Sequence, residues 1–318
     1  MNPTRSISSA WVLAGVALGS VLAIYVPLPE GALETPTWVF LAFMVLCVVL
    51  SLPLLSVGKA IQAPRVMVGL AVINLVIVPL IAFILSRVVW QIPEFQVGLL
   101  LVLLAPGVAL ALNTAFAAGG DLDSVLAATP VLLVGQLVAV PLYAIVLSGG
   151  VLSFSDLPPT FVVIALVIVA PSVVAVVIQA LAIPLPGMIR VRQGLTRLAV
   201  PSISVAVLLV VWERLPRHLD EVEQFSRLVP LFISFLVLIA PLALLVGILA
   251  SLTQPQKRAM MIVGAGRGGI MMLPITLALD PETWGLVPLV VVAQLTIEVL
   301  GLMVYRSIVP EIVPSWGR

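Results

Sequence analysis

Arg267 stands in the middle of an apolar stretch, Met260 to Leu279 (MMIVGAGRGGIMMLPITLAL), flanked directly by Gly266 and Gly268. As a helix the stretch is long enough to cross about 30 Å of hydrocarbon. Four glycines and Pro274 weaken that helix, and an arginine at mid-bilayer depth costs at least about 2.5 kcal/mol. A segment built only to face lipid would carry neither. Broken helices survive inside membranes where the freed backbone packs in protein or lines a wet cavity, so this is the pattern of a binding site. Two roles fit Arg267: holding an anionic substrate group or standing in for a bound cation, or forming a structural ion pair with Glu298. Glu298 is the only acid well inside an apolar run, and Gln294 lies one helical turn before it on the same face. A buried carboxylate can carry a proton between states, whereas pairing with Arg267 would hold it ionised.

Polar residues in the first half add a second constellation. Thr129, Gln136 and Tyr143 are spaced by seven and share one helix face, suited either to packing or to lining a cavity. Asn113 can satisfy broken backbone or coordinate a ligand. Asn74 and Pro79, in NLVIVPL, read as a kink. Met260, Met261, Met271 and Met272 read as packing rather than metal ligation, and His218, in a charged loop, as solvated. No HExxH, GxSxG or Walker lysine loop is present, and no nucleophile or metal constellation can be assembled, so the chain reads as a non-enzyme without a cofactor.

The elements that must position these residues are membrane helices. The 318 residues are 62% hydrophobic and 9% charged, with mean hydropathy +1.29, and strand-type alternation is absent. The single cysteine, Cys47, excludes a disulfide framework within the chain and a cysteine-cluster metal site. The first apolar run reads as a spanning helix rather than a removed signal. The reading is an all-α polytopic membrane protein with about ten spans, near 11–26, 37–58, 66–90, 96–118, 123–148, 159–181, 195–212, 228–251, 259–279 and 284–309. Ten basic residues (Arg5, Lys59, Arg65, Arg190, Arg192, Arg197, Lys257, Arg258, Arg306 and Arg318) then fall on one side, and four (Arg87, Arg214, Arg217 and Arg227) on the other. The positive-inside rule places both termini in the cytoplasm. The expected partners are the lipid bilayer and a small-molecule solute, with no nucleic acid.

An internal repeat follows from the same pass. A Gly-interrupted span ends at Asp121 and hands over to one containing Gln136. A second Gly-interrupted span ends at Asp280 and hands over to one containing Gln294. Five spans separate the two copies, and an odd number inverts the second in the membrane. This divides the chain into repeats over 1–150 and 151–318, with discontinuous fourth and ninth helices, a pattern that points to a transporter's central site.

The chain resembles the bile acid/arsenite/riboflavin transporter superfamily, and within it the bacterial arsenic-resistance and bile acid:sodium symporter-like permeases. Carrying the resemblance are Leu104-Ala105-Pro106-Gly107, Gly119-Gly120-Asp121, Ala128-Thr129-Pro130 with Gln136 and Pro141, then Arg267, Leu273-Pro274, and Gln294-Leu295-Thr296-Ile297-Glu298-Val299. It implies a panel and a core domain, with the fourth and ninth spans unwound and crossing at the midplane. It also implies an integral protein of the bacterial inner membrane. Arsenite permeases of the superfamily place a cysteine where this chain has Gly107, which argues against soft-sulfur arsenite chemistry, although Glu298 matches their last-span glutamate. Sodium-coupled members carry a glutamate and a glutamine about four apart where this chain has Val263 and Arg267, and of their sodium ligands Thr129 is the one that matches. The resemblance therefore implies sodium-independent alternating-access transport of a small anionic or polar solute, with protons as a coupling ion through Glu298. The alternatives are an arsenite or antimonite efflux permease and a non-transporting sensor or assembly subunit of the same fold.

Overall fold

Several helices in this chain start where a proline or a polar cap is supplied. The computed structural model describes residues 7–26, 28–29, 31–52, 63–107, 110–153 and 162–314, and every regular element among them is helical. In order these are α1 (Ile7–Tyr25), α2 (Glu34–Leu50), α3 (Pro64–Val72), α4 (Val78–Ser86), α5 (Pro93–Leu104), α6 (Leu110–Ala117), α7 (Leu122–Ser148), α8 (Ala170–Leu181), α9 (Pro186–Arg197), α10 (Ala199–Arg214), α11 (Leu228–Leu249), α12 (Gln254–Ala265), α13 (Leu273–Leu277), α14 (Pro281–Trp284) and α15 (Val287–Ile312). Prolines open α3, α5 and α9, where the missing N–H would have no helical partner.

Among the described residues, five helical runs are long and apolar enough to cross a membrane: Pro64–Val89, Ile164–Leu181, Ala199–Leu249, Gln254–Leu277 and Val287–Ile312. Shorter apolar helices accompany them, including Ala10–Tyr25, Glu34–Leu50 and Pro93–Leu104. The chain is thus an all-helical integral membrane protein. The loop charges Arg5, Glu30, Lys59, Asp156 and Arg318 lie outside the described residues. The stretch 182–198, read from sequence as part of a loop and the start of a span, instead holds the separate helix α9.

Packing divides the helices into two groups. α1 lies along α10, while α2 packs on both α8 and α10. α11 packs on α12 and α15, α5 on α4, α7 and α15, and α6 on α12 and α15; α15 also touches α1 and α10. Close approach of α1 to α10 needs small residues: a Cβ on Gly15 would lie 2.4 Å from the Ser204 carbonyl oxygen. Between α3 and α4 the backbone widens into a π-helical turn, Ile73–Ile77, just ahead of Pro79. Proline cannot donate and crowds the preceding turn, and a π-turn accommodates both defects.

Candidate functional site

Two interruptions of helix meet in the middle of the larger helix group. The first lies between Leu104, the last residue of α5, and Leu110, the first of α6, and includes Pro106 and Gly107. The second follows Ala265: Gly266 (φ −72°, ψ 122°) and Gly268 (φ −77°, ψ 43°) leave the helix, and a 3-10 turn over Gly269–Met272 leads into α13. None of these glycines has positive φ. Their requirement is space rather than handedness. A Cβ on Gly107 would lie 2.3 Å from the Gly266 carbonyl oxygen, and one on Gly266 would lie 2.3 Å from the Ala111 Cβ.

Arg267 follows Gly266 and is 1% exposed. Its guanidinium turns back over the end of α12. Nη2 donates to the carbonyls of Gly264 (2.7 Å) and Val263 (3.3 Å), and Nη1 donates to Asn74 Oδ1 (3.0 Å). The carbonyls at the end of a helix lack helical donors and carry the negative pole of its dipole, so a cation is favoured there. The Phe235 ring lies 5.9 Å from the guanidinium carbon, within cation–π range. Nε has no partner among the described residues.

Glu298 is also buried, on α15. Its carboxylate accepts from Gln294 Nε2 at 2.7 Å and from the backbone amide of Arg267. The helical spacing of Gln294 and Glu298 thus becomes a direct hydrogen bond, while Gln294 Oε1 has no partner among the described residues and lies 2.6 Å from where a Cβ on Gly269 would be. The guanidinium's hydrogen bonds thus go to helix-end carbonyls and Asn74 rather than to Glu298, which stays within electrostatic reach of its charge.

A small pocket of about 20 Å³ opens beside the crossing, walled by Asn74, Gly107, Thr129, Gln136 and Val263 together with leucines of α3 and α7. Thr129 donates to the Val125 carbonyl of its own helix (2.8 Å), which leaves its oxygen lone pairs available. Gln136 Nε2 lies 3.5 Å from Asn74 Oδ1, so that one oxygen is shared between Gln136 and Arg267. Tyr143 donates to the Leu75 carbonyl in the π-turn (2.8 Å), tying α7 to the widened backbone. Arg267 is not part of the cavity wall; its charge reaches the wall through Asn74. Asn113 lies on α6, exposed and outside the cavity, and Gly268 continues the second break behind it.

Sequence reasoning assigned Asn74 to a kink. It does sit in the π-turn and donates to the Leu70 carbonyl (2.8 Å), yet its oxygen is also the junction between the two halves of the site. The available signal was a lone amide inside an apolar run. Arg258, counted from sequence as a loop charge, is buried, donating to the Val313 carbonyl (2.7 Å) and to that of Ala118 (3.3 Å). His218 is also more than solvated: it lies 3.6 Å from a Glu221 carboxylate oxygen and would be met at 3.0 Å by a Cβ on Gly285.

The sequence profile described as "Sodium Bile acid symporter family" matches residues 38–215, a segment that contains Asn74, the first break, Thr129 and Gln136 and ends before Arg267 and Glu298. No curated protein matches the chain. Because the match covers more than half of the sequence, and the matched segment holds helical runs of membrane-crossing length and composition, the chain belongs to the sodium bile acid symporter family of membrane transporters.

Proposed function

We propose that the chain is a secondary active transporter that moves a small anionic or polar solute by alternating access without sodium, with Arg267 supplying a fixed positive charge at the central crossing. The observation that carries this is the seat of the guanidinium on the Val263 and Gly264 carbonyls at the broken end of α12. In transporters built on discontinuous helices, unwound carbonyls and half-helix C-termini are where a coupling cation is held. Here a covalently attached cation occupies that kind of position. Asn74, Thr129 and Gln136 then offer neutral hydrogen-bonding groups to the solute on the cavity wall, with Gly107 and Gly266 letting the two breaks touch.

The two helix groups support the rest of the reading. The group of α1, α2, α8 and α10 acts as a panel against which the group carrying the breaks rocks, and the repeats over 1–150 and 151–318 are inverted relative to each other. Glu298, near the second break and held by Gln294, is the proton carrier in this scheme. Arsenite efflux is disfavoured by geometry as well as by ligand type. No side chain fits at Gly107 without displacing the Gly266 backbone, and Cys47 is fully buried in α2.

The test is uptake of a panel of organic anions into proteoliposomes, with external sodium replaced by choline. Uptake of at least one anion that is unchanged by the replacement is expected. Uptake that vanishes without sodium overturns the role given to Arg267. No uptake, together with no ligand-induced rise in melting temperature, would favour a non-transporting sensor or assembly subunit.

A further inference from the structure

Outside the transport site, α9 (PGMIRVRQGLTR) has twelve residues and none of them is buried. At 1.5 Å per residue a helix of that length is too short to cross a bilayer. It is tied at both ends to apolar runs of membrane-crossing length, Ile164–Leu181 before it and Ala199–Leu249 after it, so it lies where those runs leave the hydrocarbon. Its faces are sorted. Met188, Arg192, Leu195 and Thr196 are half-buried on the side that packs against α2, α8 and α10, whereas Ile189, Val191 and the following Leu198 are exposed apolar residues. Arg190, Gln193 and Arg197, three and seven apart, form a third, exposed polar face.

The charges on that face have no acid near them in sequence. The chain has no Asp or Glu between Asp156 and Glu213, nor between Glu34 and Glu94, so α9 and the adjoining ends of the helices it packs on are free of acids. Among the described residues the arginines of α9 form no ion pair. A short amphipathic helix with a basic face, an apolar edge and fixed ends at the membrane surface matches the chemistry of anionic headgroups above acyl chains.

We infer that α9 is an interfacial helix whose Arg190 and Arg197 bind the phosphates of anionic phospholipids, while Val191 and Leu198 enter the acyl boundary. The bound lipid tethers the ends of α2, α8 and α10 to the membrane surface. The inference is independent of what the central site transports.

The experiment compares the full chain with R190Q/R197Q in detergent, adding phosphatidylglycerol or phosphatidylcholine and reading lipid retention by native mass spectrometry and the rise in melting temperature. Phosphatidylglycerol is expected to be preferred by the wild type, less so at high salt. The double variant should lose about thirtyfold in affinity for it, each arginine near an anionic surface contributing a similar share. R190K/R197K should retain most of the preference, and R190Q or R197Q alone should lose roughly fivefold, which keeps the test available if the double variant does not fold. An undiminished preference for phosphatidylglycerol in the glutamine variants overturns the inference, as does equal stabilisation of the wild type by phosphatidylcholine. Full stabilisation by inorganic phosphate alone would overturn the lipid assignment in favour of a simple anion site.

Discussion

Adding one methyl group at Gly107 tests the contact between the two breaks directly. The Cβ of Gly107→Ala would stand 2.3 Å from the Gly266 carbonyl oxygen and 3.2 Å from that of Val263. An ordinary carbon–oxygen contact is about 1 Å longer than the first of these, and both partners are backbone, so no side-chain rotation can relieve it. Overpacking of a core typically costs about 1–3 kcal/mol, and the absence of any flexible neighbour places this site at the upper end or above. The displaced carbonyl also belongs to the residue next to Arg267, so the guanidinium's seat on Val263 and Gly264 shifts with it. Gly135→Ala is the matched control, because nothing lies within 4 Å of its Cβ and it sits inside α7, where alanine gains about 1 kcal/mol in helix propensity. Melting temperature in detergent and uptake in proteoliposomes should both fall for Gly107→Ala, while Gly135→Ala should match or exceed the wild-type melting temperature. A Gly107→Ala protein with wild-type melting and uptake would refute the contact and the reasoning built on it.

Three further outcomes are expected. Arg267→Lys should keep the charge but lose the fork that reaches Asn74 and two carbonyls together, lowering stability by about 1–3 kcal/mol per acceptor left unpaired, with Arg267→Gln losing anion binding as well; binding of an organic anion by Arg267→Gln at wild-type affinity would remove the arginine from recognition. Glu298→Gln should abolish the effect of an imposed pH gradient on uptake while leaving downhill exchange intact, and an unaltered gradient response would exclude Glu298 as the proton carrier. At Asp121, burial pushes the carboxyl up, but hydrogen bonds from the Ser124 side chain and backbone and from Gln256 outweigh it and hold it below the ordinary carboxylate range. Folding therefore keeps this group ionised to lower pH than the unfolded chain would. Its contribution is fully present above the ordinary carboxylate range and is lost as pH falls through the depressed value. Asp121→Asn should cost about 0.5–2 kcal/mol, as loss of a helix cap does, and flatten that acid limb in thermal melts.

Class, membrane habit and the position of both breaks were legible in the residue string, because each rests on local chemistry. Apolar runs of bilayer length, glycines and prolines inside them, and a lone arginine among glycines each carry a cost that restricts where the segment can sit. The pairing of Gln294 with Glu298 was likewise readable, since one helical turn brings such residues together whatever surrounds them. Only the tertiary structure decided what Arg267 faces. Sequence offered the sole buried acid as its partner. The fold instead turns the guanidinium onto carbonyls freed by its own break and onto Asn74, sixty-odd residues before Gln136, with which it shares that oxygen. Helix-end carbonyls are invisible in a list of side chains, and the convergence of the π-turn, α7 and the break after α12 on one oxygen is a long-range event that no local spacing encodes. The same holds for Arg258, which charge counting places at the surface and packing buries against two helix ends. A sequence shows which groups are too costly to leave alone in a membrane; the three-dimensional arrangement determines which partners relieve that cost.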